Sequence, residues 1–417
     1  MTLNTPLPLL GGLSPAQFMR RHWQKKPLLV RQAMPGVQPP VARAALFGLA
    51  ARDDVESRLI VHQGQQVDDP AAWRVRQGPL PRRALPPVAQ PGWTLLVQGM
   101  DLHVPAAHAL LQPFGFLPAA RLDDLMMSWA SPGGGVGPHL DSYDVFLLQV
   151  QGRRRWRVGR VKGAAAAAWV EGAPLKILQR FEPSDEWLLE PGDMLYLPPR
   201  WAHDGVAEGE CMTCSIGFRA PERGALGAEL LQRIAEAAVD EAGDAAPAGS
   251  AMSFPVLYRD PDQPATDTPA LLPAALQVYA QGAVQRLLAE PDAIGRALGE
   301  VLTEPKPAVW FEARSNDAPA EDAGCVLDAA TRMLYDAQCI YINGESYLAG
   351  GRDAVLMHRL ADRRALSAAD CSRLGADARS LLADWQGSGW VHALAEASQN
   401  KHPPTPRQSR KPRTRSP

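Results

Sequence analysis

Three side chains able to bind a transition metal stand in two short stretches of the 417-residue chain. His139 and Asp141 lie in "GGGVGPHLDSYDVFLLQVQGRRRWRV" (133–158), and His203 ends "EPGDMLYLPPRWAH" (190–203). In a strand alternate side chains share a face, so His139 and Asp141 project together while Leu140 points away. The Gly192-Asp193 turn starts a second strand that ends at Pro198-Pro199 and leads to His203. Two imidazoles and one carboxylate form the facial triad of non-haem Fe(II) oxygenases, which leaves coordination positions open for a co-substrate and O₂.

Iron on such ligands needs electrons to activate oxygen, and 2-oxoglutarate supplies them by chelating the metal and losing CO₂. Its far carboxylate then needs a buried cation. In "GRRRWRV", Arg153, Arg155 and Arg157 share one face, and Arg154 shares the other with Trp156 and Val158. The face carrying Trp and Val is the interior, so Arg154 is the guanidinium that reaches inside to pair bidentately with a carboxylate. A lone His-x-Asp is a weak signal. The reading rests on its agreement with the second histidine and the inward arginine. Gly133, Gly134, Gly135 and Gly137 have no following Lys-Ser/Thr, so they form no phosphate loop; they allow close backbone approach beside the metal, or simply a hairpin. "CMTC" (211–214) lies in a strand-like run that sends Cys211 and Cys214 to opposite faces, which argues against a zinc or redox pair. His22, His62, His103, His108, His358, His392 and His402 lack partners at ligand spacing and read as structural.

The elements that must carry these groups follow from the punctuation of the chain. "SPAQFMRRHWQKKPLLVR" (14–31) is a short helix capped by Ser14 with Pro15 in its first turn, then a strand starting near Pro27. A loop-rich stretch is expected to about residue 90. From "GWTLLVQGM" (92–100) to "CMTCSIGFRA" (211–220), short apolar runs alternate with Gly/Pro turns, as in a β-sandwich or barrel. Beyond Pro221 the period becomes helical at Leu226, Leu230, Leu231, Ile234 and Ala238, and again at Leu276, Tyr279, Val284, Leu287 and Leu288. A small-residue linker (240–253) separates the two. "CIYINGESYL" (339–348) is a hairpin turning at Asn343-Gly344, flanked by helices in the manner of a winged helix.

Composition bounds the remaining choices. A hydrophobic fraction of 46% with 21% charged residues is that of a folded globular chain, and its length calls for two or three domains. No apolar run reaches a membrane span, and "MTLNTPLPLLGGLSP" lacks the basic start and apolar stretch of a signal peptide. Five scattered cysteines form no disulfide framework. A cytoplasmic protein is expected, with no membrane partner. The net charge of -2 divides into a mildly acidic body and a basic tail, "KHPPTPRQSRKPRTRSP", which carries six Lys/Arg and no acid. The tail is expected to be disordered and is the one segment suited to touching RNA phosphates. In "MHRLADRRALSAADCSRL" (357–374), Asp362 and Asp370 offset Arg359, Arg363, Arg364 and Arg373, a solvated mixed-charge face rather than a DNA-reading helix.

"PGGGVGPHLDSYDVFLLQVQGRRRWRVG" with "LEPGDMLYLPPRWAHDG" resembles the JmjC-type, cupin-superfamily 2-oxoglutarate oxygenases, and among them the bacterial ribosomal protein arginine hydroxylases; "HWQKKPLLVRQA" is in the same style. The motifs cover the first 220 residues. The resemblance implies an α+β chain: a double-stranded β-helix catalytic domain (1–220), a helical dimerisation region (221–300), a winged-helix-like domain (301–400) and the basic tail (401–417). It implies Fe(II) on His139, Asp141 and His203, with 2-oxoglutarate and O₂ as co-substrates. Arg154 then grips the far carboxylate, and Ser128 in "LMMSW" is the co-substrate-pocket hydroxyl. The implied reaction is hydroxylation of an arginine β-carbon in large-subunit ribosomal protein sixteen by a homodimer. The same chemistry on another protein target, or a non-catalytic cupin/winged-helix regulator, are the alternatives. Ala164 to Ala168, with Trp169, and the basic tail depart from the family pattern and leave the substrate-facing loops open.

Overall fold

The computed structural model describes residues 2–64, 66–161, 168–244, 256–312 and 323–394. The tail 401–417, most of the 240–253 linker and Ala164–Ala167 lie outside the described residues. The chain divides into two compact units, Met1–Trp310 with Ala329–Ala349, and Phe311–Asp328 with Gly350–Pro417.

The first unit opens with helix α1 (Pro15–Arg21), where the Ser14 side chain accepts from the Gln17 N–H and Gln17 reaches back to the Ser14 N–H. That reciprocal cap satisfies two otherwise orphaned donors. Strand β1 (Leu28–Val30) and helix α2 (Arg43–Leu49) follow. The stretch expected to be loop then contains two strands, β2 (Ser57–His62) and β3 (Trp73–Gln77). β3 is the outer edge of the sheet, and its "WRVRQ" places arginines where an inner strand would bury apolar groups. Beyond β4 (Trp93–Val97) come helices α3 (Met100–His103) and α4 (Pro105–Ala109), then β5 (Leu122–Ala130), β6 (Tyr143–Arg160), β7 (Asp185–Leu189), β8 (Met194–Leu197) and β9 (Trp201–Arg219). These nine strands form one antiparallel sheet in the order β1-β8-β6-β9-β5-β4-β2-β3, with β7 paired to β6.

One face of the sheet packs on α1 around Phe18, Trp93, Trp129, Phe146, Tyr196 and Phe218. Phe18 and Tyr196 meet edge-on at 4.9 Å between ring centres. The other face encloses a cavity. Beneath the aromatics Asp144 is fully buried and accepts from Tyr196 Oη (2.6 Å), Gln24 Nε2 (3.0 Å) and Arg121 Nη2 (3.0 Å), the compensation a buried carboxylate requires.

The ladder between β6 and β9 runs the length of both strands and is interrupted between Gln149 and Arg153. Before the interruption, Val145 and Leu147 face the cavity; after it, Arg154 and Trp156 do. The irregularity therefore exchanges odd for even positions. Gly152 sits there at φ +62°, and a Cβ on it would come within 2.1 Å of the Glu210 carbonyl.

Helices α5 (Arg223–Asp244) and α6 (Ala274–Ala289) follow the expected periods, and α7 (Ala293–Thr303) adds a helix for which no period was read. The chain crosses β10 (Cys325–Leu327) of the second unit, then returns for β11 (Met333–Tyr335), β12 (Cys339–Ile342) and β13 (Glu345–Leu348). The hairpin turns at Asn343 and Gly344, both at positive φ, as an Asn-Gly turn requires. α7 packs on it: Thr303 Oγ1 accepts from the Gly344 N–H (3.1 Å). The second unit contains α8 (Gly351–Arg363), β14 (Ala365–Leu366), α9 (Ala368–Cys371), α10 (Ala376–Gly387) and β15 (Val391–Ala393), with β10 pairing β14 and β15. Among the described residues no helix is long and apolar enough to cross a membrane.

Gly152→Ala is expected to destabilise the protein by about 2–4 kcal/mol, from left-handed backbone strain plus a clash with the β9 main chain. Urea unfolding measures it, and an unchanged midpoint would show that the irregularity relaxes freely.

Candidate active site

His139 lies outside any continuous strand, since β6 begins only at Tyr143. It is held by a single bridge to His203 in β9: each N–H donates to the other's carbonyl, both at 3.0 Å. His139 and Asp141 converge as alternation predicts, but Leu140, expected to point away, lines the same cavity. The glycines before His139 permit its approach to β9. A Cβ on Gly135 would lie 2.6 Å from the Gly205 carbonyl, and Gly137, at φ +77°, lies under the Trp73 ring.

The bridge sets the two imidazoles 4.1 Å apart, centre to centre. His139 Nδ1 donates to the Gly137 carbonyl (2.8 Å), and His203 Nδ1 to the Trp201 carbonyl (2.9 Å). Each ring is thus tethered two residues back along its own chain. A carbonyl only accepts, so both Nδ1 atoms carry hydrogen and both Nε2 atoms face the common point. Asp141 completes that point, with Oδ1 3.8 Å from His139 Nε2 and Oδ2 3.5 Å from His203 Nε2. The three ligand atoms lie within 4.8 Å of one another, the one such cluster among the described residues. Two neutral imidazoles fixed through Nδ1 and one carboxylate suit a divalent transition metal with open positions.

Burial pushes the His139 pKa down, and its neighbour His203 pushes it further. Burial also lowers His203, but the hydrogen bond and charge of Asp141 outweigh it and hold that pKa above the ordinary value. Burial raises Asp141, yet the two histidines draw its carboxyl well below the usual range.

The cluster opens into a cavity of about 570 Å³ that also contains Arg154 and Ser128. Arg154 is 5% exposed, whereas the side chains of Arg153, Arg155 and Arg157 are 40–54% exposed and paired with Glu208, Glu186 or Asp204. Arg154 Nη1 donates to Ser128 Oγ at 3.2 Å and more weakly to Thr213 Oγ1 at 3.4 Å. Its Nε is buried without a partner, and no carboxylate pairs with it among the described residues. A buried guanidinium with an idle donor suits an incoming carboxylate.

The structure thus brings all five sequence-selected residues to one cavity. Arg58 on β2 also lines it and escaped notice because its strand read as loop. Thr213 and Gln149 escaped notice as well. "CMTC" is an ordinary strand: Cys214 enters the aromatic core, and Cys211 packs with Ala130 and Ala207.

Residues 109–226 match the JmjC domain model, and 286–392 match the ROXA-like winged helix. Ribosomal protein uL16 3-hydroxylase of Escherichia coli is 33% identical over 382 residues, covering 88% of this chain and 91% of that protein. The chain belongs to the ribosomal oxygenase family. A probable ribosomal oxygenase of Haemophilus influenzae is 38% identical over 213 residues, half of each chain. Among solved structures, E. coli YcfD superposes with a TM-score of 0.75 at 30% identity over 92% of this chain and 98% of that one. The same protein in complex with cobalt and 2-oxoglutarate gives 0.70 at 30% identity, covering 92% and 99%. Like other ribosomal oxygenases, the chain combines a JmjC/cupin catalytic fold with a winged helix, and it is a 2-oxoglutarate-dependent dioxygenase using Fe(II) and O₂.

In the metal-free ribosomal oxygenase, imidazole NMR is expected to show His203 titrating above 6.5 and His139 below it. Because folding raises the His203 pKa, its pairing with Asp141 stabilises the apoprotein fully below about pH 6.5 and is lost as pH rises through the folded value. Asp141→Asn should remove the upward shift. An unshifted His203 in the parent protein would contradict the arrangement.

Proposed function

We propose that the protein hydroxylates an arginine side chain at its β-carbon in ribosomal protein uL16, with Fe(II) held by His139, Asp141 and His203. The observation that carries this reading is the pairing, in one cavity, of three converging ligand atoms with the buried, acid-free guanidinium of Arg154. Their presence in one cavity suits 2-oxoglutarate, whose keto acid end reaches the metal while Arg154 and Ser128 hold the far carboxylate. Bound Fe(II) supplies the oxidising chemistry, coupling decarboxylation of 2-oxoglutarate to insertion of one oxygen atom into a C–H bond.

The chain's own residues supply position and environment. The Gly137 and Trp201 carbonyls keep both Nε2 lone pairs available, and Asp141 stays ionised to neutralise part of the metal's charge. Trp156, stacked near Arg154 at 5.6 Å, and Val145 exclude water beside the carboxylate. Tyr143 lines the same cavity, an aromatic face that suits a guanidinium substrate, and beside it Asp124 is already paired with Lys306 at 3.2 Å.

The division of labour proposed is the one the resemblance implies, with catalysis in 1–220 and a winged-helix-like domain after 301. The helical region 221–300 is proposed to form a homodimer. Its support is apolar exposure: α6 buries no residue, and Val278 is 68% exposed. A cytoplasmic location fits the five free cysteines, and direct nucleic-acid contact is left to the tail. The same chemistry on a different protein is the competing reading.

Incubation of the Fe(II)-loaded enzyme with uL16, 2-oxoglutarate and O₂ is expected to add one oxygen to an arginine by peptide mass spectrometry. His139→Ala and Asp141→Ala should abolish it. Arg154→Ala should raise the apparent KM for 2-oxoglutarate about 10- to 100-fold with little change in the iron requirement. Oxygen found only on another ribosomal protein would replace the substrate, and full activity of His139→Ala would overturn the metal assignment. Light scattering should give twice the chain mass for the parent and a monomer for Val278→Glu/Val284→Glu; a monomeric parent would remove the dimer.

A further inference from the structure

Three buried polar side chains form a row across neighbouring strands. Ser128 on β5 is the register partner of Thr213 on β9, and Thr213 is the partner of Gln149 on β6. Cross-strand partners on one face lie side by side. Polar groups in a core position must have their hydrogen bonds accounted for.

Donation along the row is ordered from its Gln149 end. Gln149 Nε2 donates to the carbonyls of Gln151 (2.8 Å) and Gly152 (3.3 Å), where the ladder is interrupted. Carbonyls only accept, so they decide which end of the amide is NH₂ and aim Oε1 the other way. Thr213 Oγ1 donates to that oxygen at 3.0 Å. Its single proton is thereby committed, and its lone pairs are left to accept from Arg154 Nη1. The Thr213 main-chain carbonyl accepts from Ser128 Oγ (3.4 Å), which leaves that oxygen's lone pairs for the same Nη1. Both contacts hold one end of the guanidinium, and Nε remains unpaired.

We propose that Gln149 and Thr213 are positioning residues that fix the fork of Arg154 before 2-oxoglutarate arrives. The proposal rests on the reading of Arg154 as the carboxylate anchor. The interruption of the ladder does two jobs in it: it turns Arg154 to the cavity face, and its free carbonyls orient the relay that holds the guanidinium.

The test is anaerobic calorimetry on the Mn(II)-loaded protein with 2-oxoglutarate and with pyruvate, a keto acid lacking the far carboxylate. Thr213→Val is expected to weaken 2-oxoglutarate about tenfold, the loss of one hydrogen bond to a charged group. Pyruvate and Mn(II) affinities should stay unchanged, and Thr213→Ser should restore 2-oxoglutarate to within about twofold. Gln149→Met, which frees the Thr213 proton to compete, should give a smaller loss of the same selectivity and serves as the probe if Thr213→Val does not fold. Arg154→Ala separates the two ideas. Selective weakening of 2-oxoglutarate by Arg154→Ala but by neither Thr213→Val nor Gln149→Met would overturn the relay alone. No selective effect of Arg154→Ala would overturn the anchor and the relay with it.

Discussion

The site depends on one pair of main-chain hydrogen bonds, those exchanged between His139 and His203 at 3.0 Å. His139 belongs to a segment with no ladder of its own, and this bridge fastens it to a strand nineteen residues long. The bridge fixes the distance between the imidazoles, and Nδ1 tethers to carbonyls two residues back fix their tautomer and tilt. Metal-site geometry is therefore a backbone property first and a side-chain property second. Glycine is needed in the preceding loop because any Cβ at Gly135 would push the segment away from β9.

The long β6–β9 ladder joins the two ends of the cavity. At one end Val158 pairs with His203; further along, beyond the interruption, Gln149 pairs with Thr213. A two-stranded ribbon of this length carries His203 and the groups around Arg154 on one rigid frame, with His139 bridged to it and β5 supplying Ser128. Rigidity matters because a bidentate guanidinium–carboxylate contact tolerates little misplacement. The aromatic core on the opposite face, with Phe18 from α1 against Tyr196, holds the ribbon's back.

Much of this was legible locally. His139, Asp141, His203 and Arg154 could be found because each is read against neighbours within a few residues, and local alternation holds wherever the backbone is extended. For Arg154 the inference worked because it used Trp156 and Val158, on the same side of the ladder's interruption; counted from Val145 and Leu147, alternation would have sent Arg154 outward. Helices α5 and α6 and the Asn-Gly hairpin were equally plain, the helices from period and the hairpin from turn chemistry. β2 and β3 were not. β3 is an edge strand whose exposed arginines break its apolar alternation; β2 is an inner strand whose short run Leu59–Val61 is buried without alternating, and with it Arg58 disappeared from view. The Ser128–Thr213–Gln149 row is invisible for a different reason, since register between strands 60 or 80 residues apart is a long-range fact that no local pattern encodes.

The central claim is that these five groups form one co-substrate site, metal at one end and guanidinium at the other. A crystal structure of the anaerobic Mn(II)–2-oxoglutarate complex tests it most directly. The account predicts the ion on His139 Nε2, His203 Nε2 and an Asp141 oxygen, with the far carboxylate of 2-oxoglutarate paired to Arg154 and within reach of Ser128. An ion bound through other side chains, or a far carboxylate turned away from Arg154, would contradict it.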